Sequence, residues 1–288
     1  MTASILASDV ASASTASVTA VNPSPGGGIS NTIFFPIRLA TSSVGLSRSD
    51  ITNSSRGTPI GIATADFNRD GKLDLSVSNG CCEPNAGNTV SILLGNGDGT
   101  FQPQVDYRTA GEPAWVAVAD LNGDGNLDLV TADYTPKNVS VLLGNGDGTF
   151  GAYTAYATAD NSNAVIIADF NRDGKLDLAT INPGPSSCCG TTASILLGNG
   201  DGTFQAHVDF VVGAAPTGLV TGDFNRDGNL DLAVTRQYSD KISILLGNGD
   251  GTFQAPVDYP VGVSRGARSR LISTRMGTWI WRLLVLTT

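Results

Sequence analysis

Hydrophobic and polar positions along this chain alternate in short bursts, with no sustained helical period. "IGIATAD", "AWVAVAD" and "AVIIAD" swing between apolar and small or polar residues at nearly every step. An alternation of period two is the mark of a half-buried strand. Each burst stops at a cluster of Asp, Asn and Gly, the residues that form turns most readily. A second burst follows at once ("LDLSVS", "LDLVTA"), then a third ("TVSILLG", "KISILLG"). The run "GNGDG" then turns the chain into a fourth, such as "FQPQVDY". Gly-Asn-Gly-Asp-Gly predicts a tight hairpin, because several of its residues adopt positive φ at little cost.

This group of four strands repeats. "ADFNRDGKLDL" begins at Ala65 and again at Ala168, with variants "ADLNGDGNLDL" from Ala119 and "GDFNRDGNLDL" from Gly222. The leading Asp residues are Asp66, Asp120, Asp169 and Asp223, at spacings of 54, 49 and 54. "LLGNGDGTF" also occurs four times, its first Asn at Asn96, Asn145, Asn199 and Asn248. The step from that Asn to the next leading Asp is 24 residues wherever both exist, whereas the step from Asp to Asn alternates between 30 and 25. Length variation is therefore confined to one loop, and units pair into a super-period of 103 residues.

Four short antiparallel strands recurring about every fifty residues predict an all-β fold, a β-propeller of four-stranded blades. The small residues of each first strand suit the crowded position nearest the axis. A two-sheet sandwich is the structural rival, but it gives no reason for near-identical units. Residues 30–270 are assigned to the repeats, with 30–57 as an irregular part-blade, so that four to five blades are present. Residues 1–29, rich in Ala, Ser, Thr and Gly, lack the basic start and apolar stretch of a signal peptide and read as a low-complexity linker.

Charge changes the picture next. The net charge of −9 and the lack of a basic run exclude nucleic acid as a partner. No stretch approaches the ~20 apolar residues of a membrane helix. The Asp residues cluster, and the clusters carry the chemistry. In "DFNRDGKLD", side-chain oxygens fall at loop positions 1, 3, 5 and 9, with Gly at position 6. For the first copy these are Asp66, Asn68, Asp70 and Asp74, with the carbonyl of Lys72 available from position 7. The other sets are Asp120, Asn122, Asp124, Asn126 and Asp128; Asp169, Asn171, Asp173, Lys175 and Asp177; and Asp223, Asn225, Asp227, Asn229 and Asp231.

Alternate residues of a coiled loop aim their oxygens inward, which suits Ca²⁺, a hard cation that takes six to eight oxygens. Mg²⁺ suits the loop less, since it demands strict octahedral geometry and keeps its waters. The loop begins like an EF-hand but lacks the acidic residue at position 12, where Val77 stands. Turn formation alone would account for one such loop. Four loops, each with three carboxylates in nine residues, repel themselves without a cation. Four Ca²⁺ ions would bring the net charge from −9 to about −1. "GNGDG" offers one carboxylate, such as Asp98 or Asp147, and reads as a turn rather than a second metal loop.

With these motifs the chain resembles the FG-GAP and VCBS repeat proteins, whose members include integrin α-subunit-like calcium-binding propellers. The resemblance rests on the acidic loop, on "TFG" from Thr149 and on "GAAP" from Gly213, and covers about residues 58–262. It implies a propeller, usually of seven blades, with calcium in the loop joining the first two strands of a blade. It also implies an extracellular or cell-surface setting and a role in adhesion or in binding a glycan or protein ligand. The chain departs from that pattern in holding too few units for seven blades. An accessory or catalytic propeller of a polysaccharide-degrading enzyme is the alternative reading. An incomplete ring exposes blade faces and edges, which favours self-association.

The remaining reactive residues are few. Cys81–Cys82 and Cys188–Cys189 lie in the longer variable loops, without zinc spacing. Adjacent-pair disulfides, one cross-loop bridge and free thiols all remain open for them. The one histidine, His207, reads as an ordinary strand residue, and no nucleophile motif accompanies it. No catalytic residue is assigned, and the chain is read as a binding module rather than an enzyme.

The pattern stops abruptly. The 24-residue step from Asn248 would place a fifth leading Asp at position 272, where Ile272 stands. Read one base out of register, however, the codons of Trp279–Ile280 must give Asp, and those of Met276–Gly277 must give Gly. Leu271–Ile272 and Arg275–Met276 can each give Asp, Ile272–Ser273 can give Phe, and Ser273–Thr274 can give Asn. The hidden reading is D-F-N-x-D-G-x-L-D-L, in the place the repeat requires. Residues 271–288 are accordingly read as a frameshifted tail lying over a fifth acidic loop.

Overall fold

A computed structural model describes residues 58–80, 87–184, 190–237 and 239–261, together with the backbone of Ser14–Val18 and Ile33–Ile37. The variable-loop cysteines and the tail from residue 271 lie outside the described residues, as does most of the segment 30–57. The chain divides into two compact units, Met1–Thr52 and Asn53–Thr288. In the first, Ser14–Val18 pairs antiparallel with Ile33–Ile37.

The second unit holds four antiparallel sheets of four strands, each in sequence order from one edge to the other. Blade 1 is Thr58–Ala65, Asp74–Gly80, Thr89–Leu93 and Val105–Arg108. Blade 2 is Pro113–Ala119, Asp128–Asp133, Asn138–Leu142 and Thr154–Ala157. Blade 3 is Ala164–Ala168, Asp177–Asn182, Thr192–Leu196 and Val208–Val211. Blade 4 is Pro216–Gly222, Asp231–Arg236, Lys241–Leu245 and Val257–Pro260. The fold is that of a β-propeller with four blades among the described residues, as the strand count predicts.

The core lies between blades rather than within one. A blade is a single sheet, so each of its faces must be covered by a neighbour. Phe67, Val90 and Ile92 of blade 1 pack on Val116, Leu129, Leu142 and Phe150 of blade 2. The next two seams repeat this arrangement, centred on Val141 against Leu178 and Leu196, and on Ile195 against Leu232 and Leu245. Each fully buried aliphatic or aromatic side chain at a seam contributes roughly 1.5–3 kcal/mol. The Phe after each hairpin is the recurring wedge. Phe150 meets Phe67 and Tyr107 edge-on at ring-centre distances of 5.5 and 5.4 Å, and Phe253 meets Phe170 and Phe210 likewise at 5.8 and 5.4 Å. First strands of neighbouring blades lie side by side. A Cβ on Gly61 would stand 3.1 Å from the Cα of Trp115, so the first strands of blades 1 and 2 approach closely at that glycine.

The "GNGDG" segments are hairpin turns, as predicted. Gly95 bridges Phe101, and the amide of Asn96 donates to the carbonyl of Thr100 at 2.9 Å. The Asp98 carboxylate accepts from both the amide and the hydroxyl of Thr100, so it serves the turn. These bonds hold its pKa below the usual carboxylate value, the hydroxyl contributing most.

Candidate metal centre

The acidic loops join the first and second strands of every blade, and the hairpin turns join the third and fourth at the same end. In loop 1, Asp66 accepts the amides of Asp70 (3.1 Å) and Gly71 (2.8 Å). Asn68 accepts from the amide of Asp70 at 3.1 Å, and Asp70 from the amide of Lys72 at 2.9 Å. Loop 2 repeats this with Asp120 on Gly123 and Gly125, Asn122 on Asp124, and Asp124 on Asn126. Loops 3 and 4 do the same through Asp169, Asn171 and Asp173, and through Asp223, Asn225 and Asp227. Positions 1, 3 and 5 therefore share one coil, with their oxygens on the loop's own amides.

The coil needs left-handed backbone at two places. Position 6 is Gly in all four loops, with φ of +80° at Gly71. Position 4 is also left-handed, at +59°, +60° and +64° for Arg69, Arg172 and Arg226, and at +74° for Gly123. Side chains rarely adopt that region, so the glycine of loop 2 relieves strain that the arginines carry. Arg172 gains a contact in return. Arg172 Nη1 donates to Oδ1 of Asn229, at position 7 of the next loop, at 3.3 Å.

Position 9 stands apart. Asp74, Asp128, Asp177 and Asp231 are fully buried. Each accepts one amide from loop position 2 and one from the glycine before the hairpin turn. For Asp74 these are Phe67 at 2.8 Å and Gly95 at 2.7 Å; for Asp177, Phe170 and Gly198, both at 2.8 Å. The same glycine has no room for a side chain, since a Cβ on Gly198 would lie 2.1 Å from the carbonyl oxygen of Leu176. The position-9 carboxylate is thus a staple between acidic loop and hairpin, a role that its ligand-like spacing did not reveal.

Electrostatics divide the set. Asp70 titrates below the usual range, chiefly through its hydrogen bond to Lys72, and Asp124 and Asp227 do so chiefly through the amides of Asn126 and Asn229. Asp128 and Asp177 are pushed up, first by burial and further by the position-5 and position-1 carboxylates of their own loops. Among the described residues no three His, Cys, Asp or Glu side chains converge as a metal cage. In chemistry the donors fit a hard cation: oxygen only, three carboxylates and one amide oxygen in nine residues, on a coiled backbone.

Ser194, Asp209 and His207 form a connected cluster in blade 3. Ser194 donates to Asp209 at 2.6 Å, and His207 Nδ1 lies 2.9 Å from the same oxygen. The hydroxyl is fully buried and bonds the carboxylate, whereas a nucleophilic serine must face the imidazole.

Blades stacked face to face, each with an acidic strand-joining loop, define a β-propeller of the repeat type. The chain belongs to the FG-GAP-like repeat family, whose model matches residues 81–131, 120–180, 186–234 and 223–273. Comparison with curated proteins gives no match. Among solved structures, a Lactobacillus plantarum protein is similar over 73% of this chain and 58% of its own, at 15% identity and a TM-score of 0.51. An Agrocybe aegerita lectin, described as recognising non-reducing terminal N-acetylglucosamine, is 24% identical over 68% of this chain and 50% of its own, with a TM-score of 0.44. The Pseudomonas aeruginosa periplasmic gluconolactonase PpgL is 14% identical over 72% and 71%, with a TM-score of 0.40. The chain thus spans about half to three-fifths of the length of the first two.

Proposed function

We propose that the chain is a calcium-stabilised repeat module of a secreted or surface protein, acting in adhesion or in binding a glycan or protein ligand. The observation that carries this reading is the recurrence of one oxygen-only loop, in one conformation, in all four blades. Positions 1, 3, 5 and 9, with the position-7 carbonyls of Lys72, Asn126, Lys175 and Asn229, would hold one Ca²⁺ per loop. The ion would supply positive charge beside three carboxylates per loop; burial raises Asp128 and Asp177 first, and the position-5 and position-1 carboxylates of their own loops add to it. Four sites of one design at one end of the blades point to an architectural role, with ligand contacts left to the surface between loops.

Thermal melting of chelator-stripped protein during calcium titration tests the metal. The melting temperature rises with calcium and falls in excess chelator. An unchanged melting temperature in excess chelator overturns the proposal.

A further inference from the structure

Three seams of one design hold the four blades together, and the outermost blades carry the two halves of a fourth. On the trailing face of blade 4, Ile242, Ile244, Leu246 and Tyr259 line an open apolar depression. Their counterparts Val90 and Ile92 in blade 1, Val139 and Val141 in blade 2, and Ala193 and Ile195 in blade 3 are buried by the following blade. Tyr259 stands where Tyr107, Tyr156 and Phe210 receive a hairpin Phe, and it is 51% exposed.

The leading face of blade 1 shows the complementary deficit. Ile62 is 62% exposed, while Val116, Val165 and Leu219 at the same place are at most 7% exposed. Leu75, Leu93 and Phe101 are only half-buried, although their equivalents in the other blades are buried. The chain therefore presents, at opposite ends of its blade stack, the two surfaces that meet three times inside it.

We propose that a second copy of this chain covers both faces, trailing on leading, so that two four-bladed arcs close one eight-bladed ring through two identical seams. A head-to-tail interface makes a ring when its rotation closes, and eight blades lie within the range that propellers adopt. The occupant is argued from continuity with the existing seams: the only surface shown to fit a trailing face is a leading face, and the only uncovered leading face among the described residues belongs to blade 1.

The charges at the rim predict a specific flaw in this seam. Inside the chain, an arginine at loop position 4 meets an asparagine at position 7 of the next loop, as Arg172 meets Asn229. Where position 7 is Lys175, the preceding loop has Gly123 instead. The seam between copies puts Arg226 beside Lys72, two like charges. Both are exposed, so the repulsion is modest and is screened by salt. The assembly does not depend on the calcium reading, and its test is run at fixed calcium.

Sedimentation velocity on the full chain, over a micromolar range, reads the assembly. The expected species has twice the 29.6 kDa chain mass. Ile62→Asp and Tyr259→Asp change exposed positions, so each variant keeps the wild-type β-sheet circular dichroism and a cooperative melting transition while losing the two-copy species. Mixing the two variants restores association through one undamaged seam. Lys72→Asn tightens the wild-type association several-fold, and added salt acts in the same direction. A wild-type monomer, growth beyond two copies, variants that mix without associating, or an unaltered affinity in Lys72→Asn would each overturn the proposal. A monomer would mean that residues outside those described, or further repeats, cover the faces instead.

Discussion

Asp133 gives the sharpest quantitative prediction. It ends the second strand of blade 2, is fully buried, and accepts hydroxyl hydrogen bonds from Thr131 and Ser140. Burial pushes its pKa up to about 7 from 3.8, the two hydroxyls pulling back only part of the way. Because the folded value lies above the unfolded one, the folded protein holds this proton more tightly. The associated stability is fully present below the unfolded pKa and is lost as pH rises towards 7. Between about pH 5 and about pH 8 the loss is on the order of 2–3 kcal/mol. Asn occupies the same place in blades 1 and 3, as Asn79 and Asn182, so Asp133→Asn is sterically native and cannot titrate. Urea unfolding of both proteins at the two pH values, in excess chelator, isolates this group, because all other carboxylates cancel in the difference. The wild-type stability relative to the variant falls by on the order of 2–3 kcal/mol from the lower to the higher pH. A difference that stays constant to within about 0.5 kcal/mol refutes the reasoning. The variant leaves the Ser140 hydroxyl without its carboxylate, and adding Ala155→Asp, which copies Asp106 and Asp209, regains about 1 kcal/mol.

Other outcomes follow from the staple and from the reading frame. Asp177→Ala strands the buried amides of Phe170 and Gly198 and costs about 2–6 kcal/mol in chemical denaturation. Gly198→Ala forces a methyl group to within 2.1 Å of a backbone oxygen that cannot swing away, at a cost of about 1–3 kcal/mol by the same assay. The nucleotide sequence from the codon for Gly262 onward carries "DFNxDGxLDL" one base out of register; an out-of-frame reading without it removes the frameshift account of the tail.

Much of the fold is legible because the repeat fixes its own register. The constant step from Asn96 to Asp120 and its later equivalents spans the fourth strand of one blade and the first of the next, so four-stranded blades and their turns follow from spacing. The acidic loops are equally visible, since their oxygens alternate within nine residues. What spacing conceals are partnerships made across strands. Asn79, Ser91 and the half-buried Asp106 form one network, and in blade 2 the carboxylate moves to Asp133 while Ala155 replaces the outer Asp. The two changes lie far apart in sequence and meet only through β register. The second role of Asp74, Asp128, Asp177 and Asp231 is hidden for the same reason, because its other end is the glycine before the following hairpin. One signal was readable: Gly123, where the other loops have Arg69, Arg172 and Arg226, marks the left-handed position.

We propose above all that each acidic loop holds a calcium ion. Anomalous diffraction from crystals grown with calcium tests it most directly. The account predicts four peaks, one within each of the loops that begin at Asp66, Asp120, Asp169 and Asp223. Loops without peaks, their oxygens still turned onto their own amides, would contradict it.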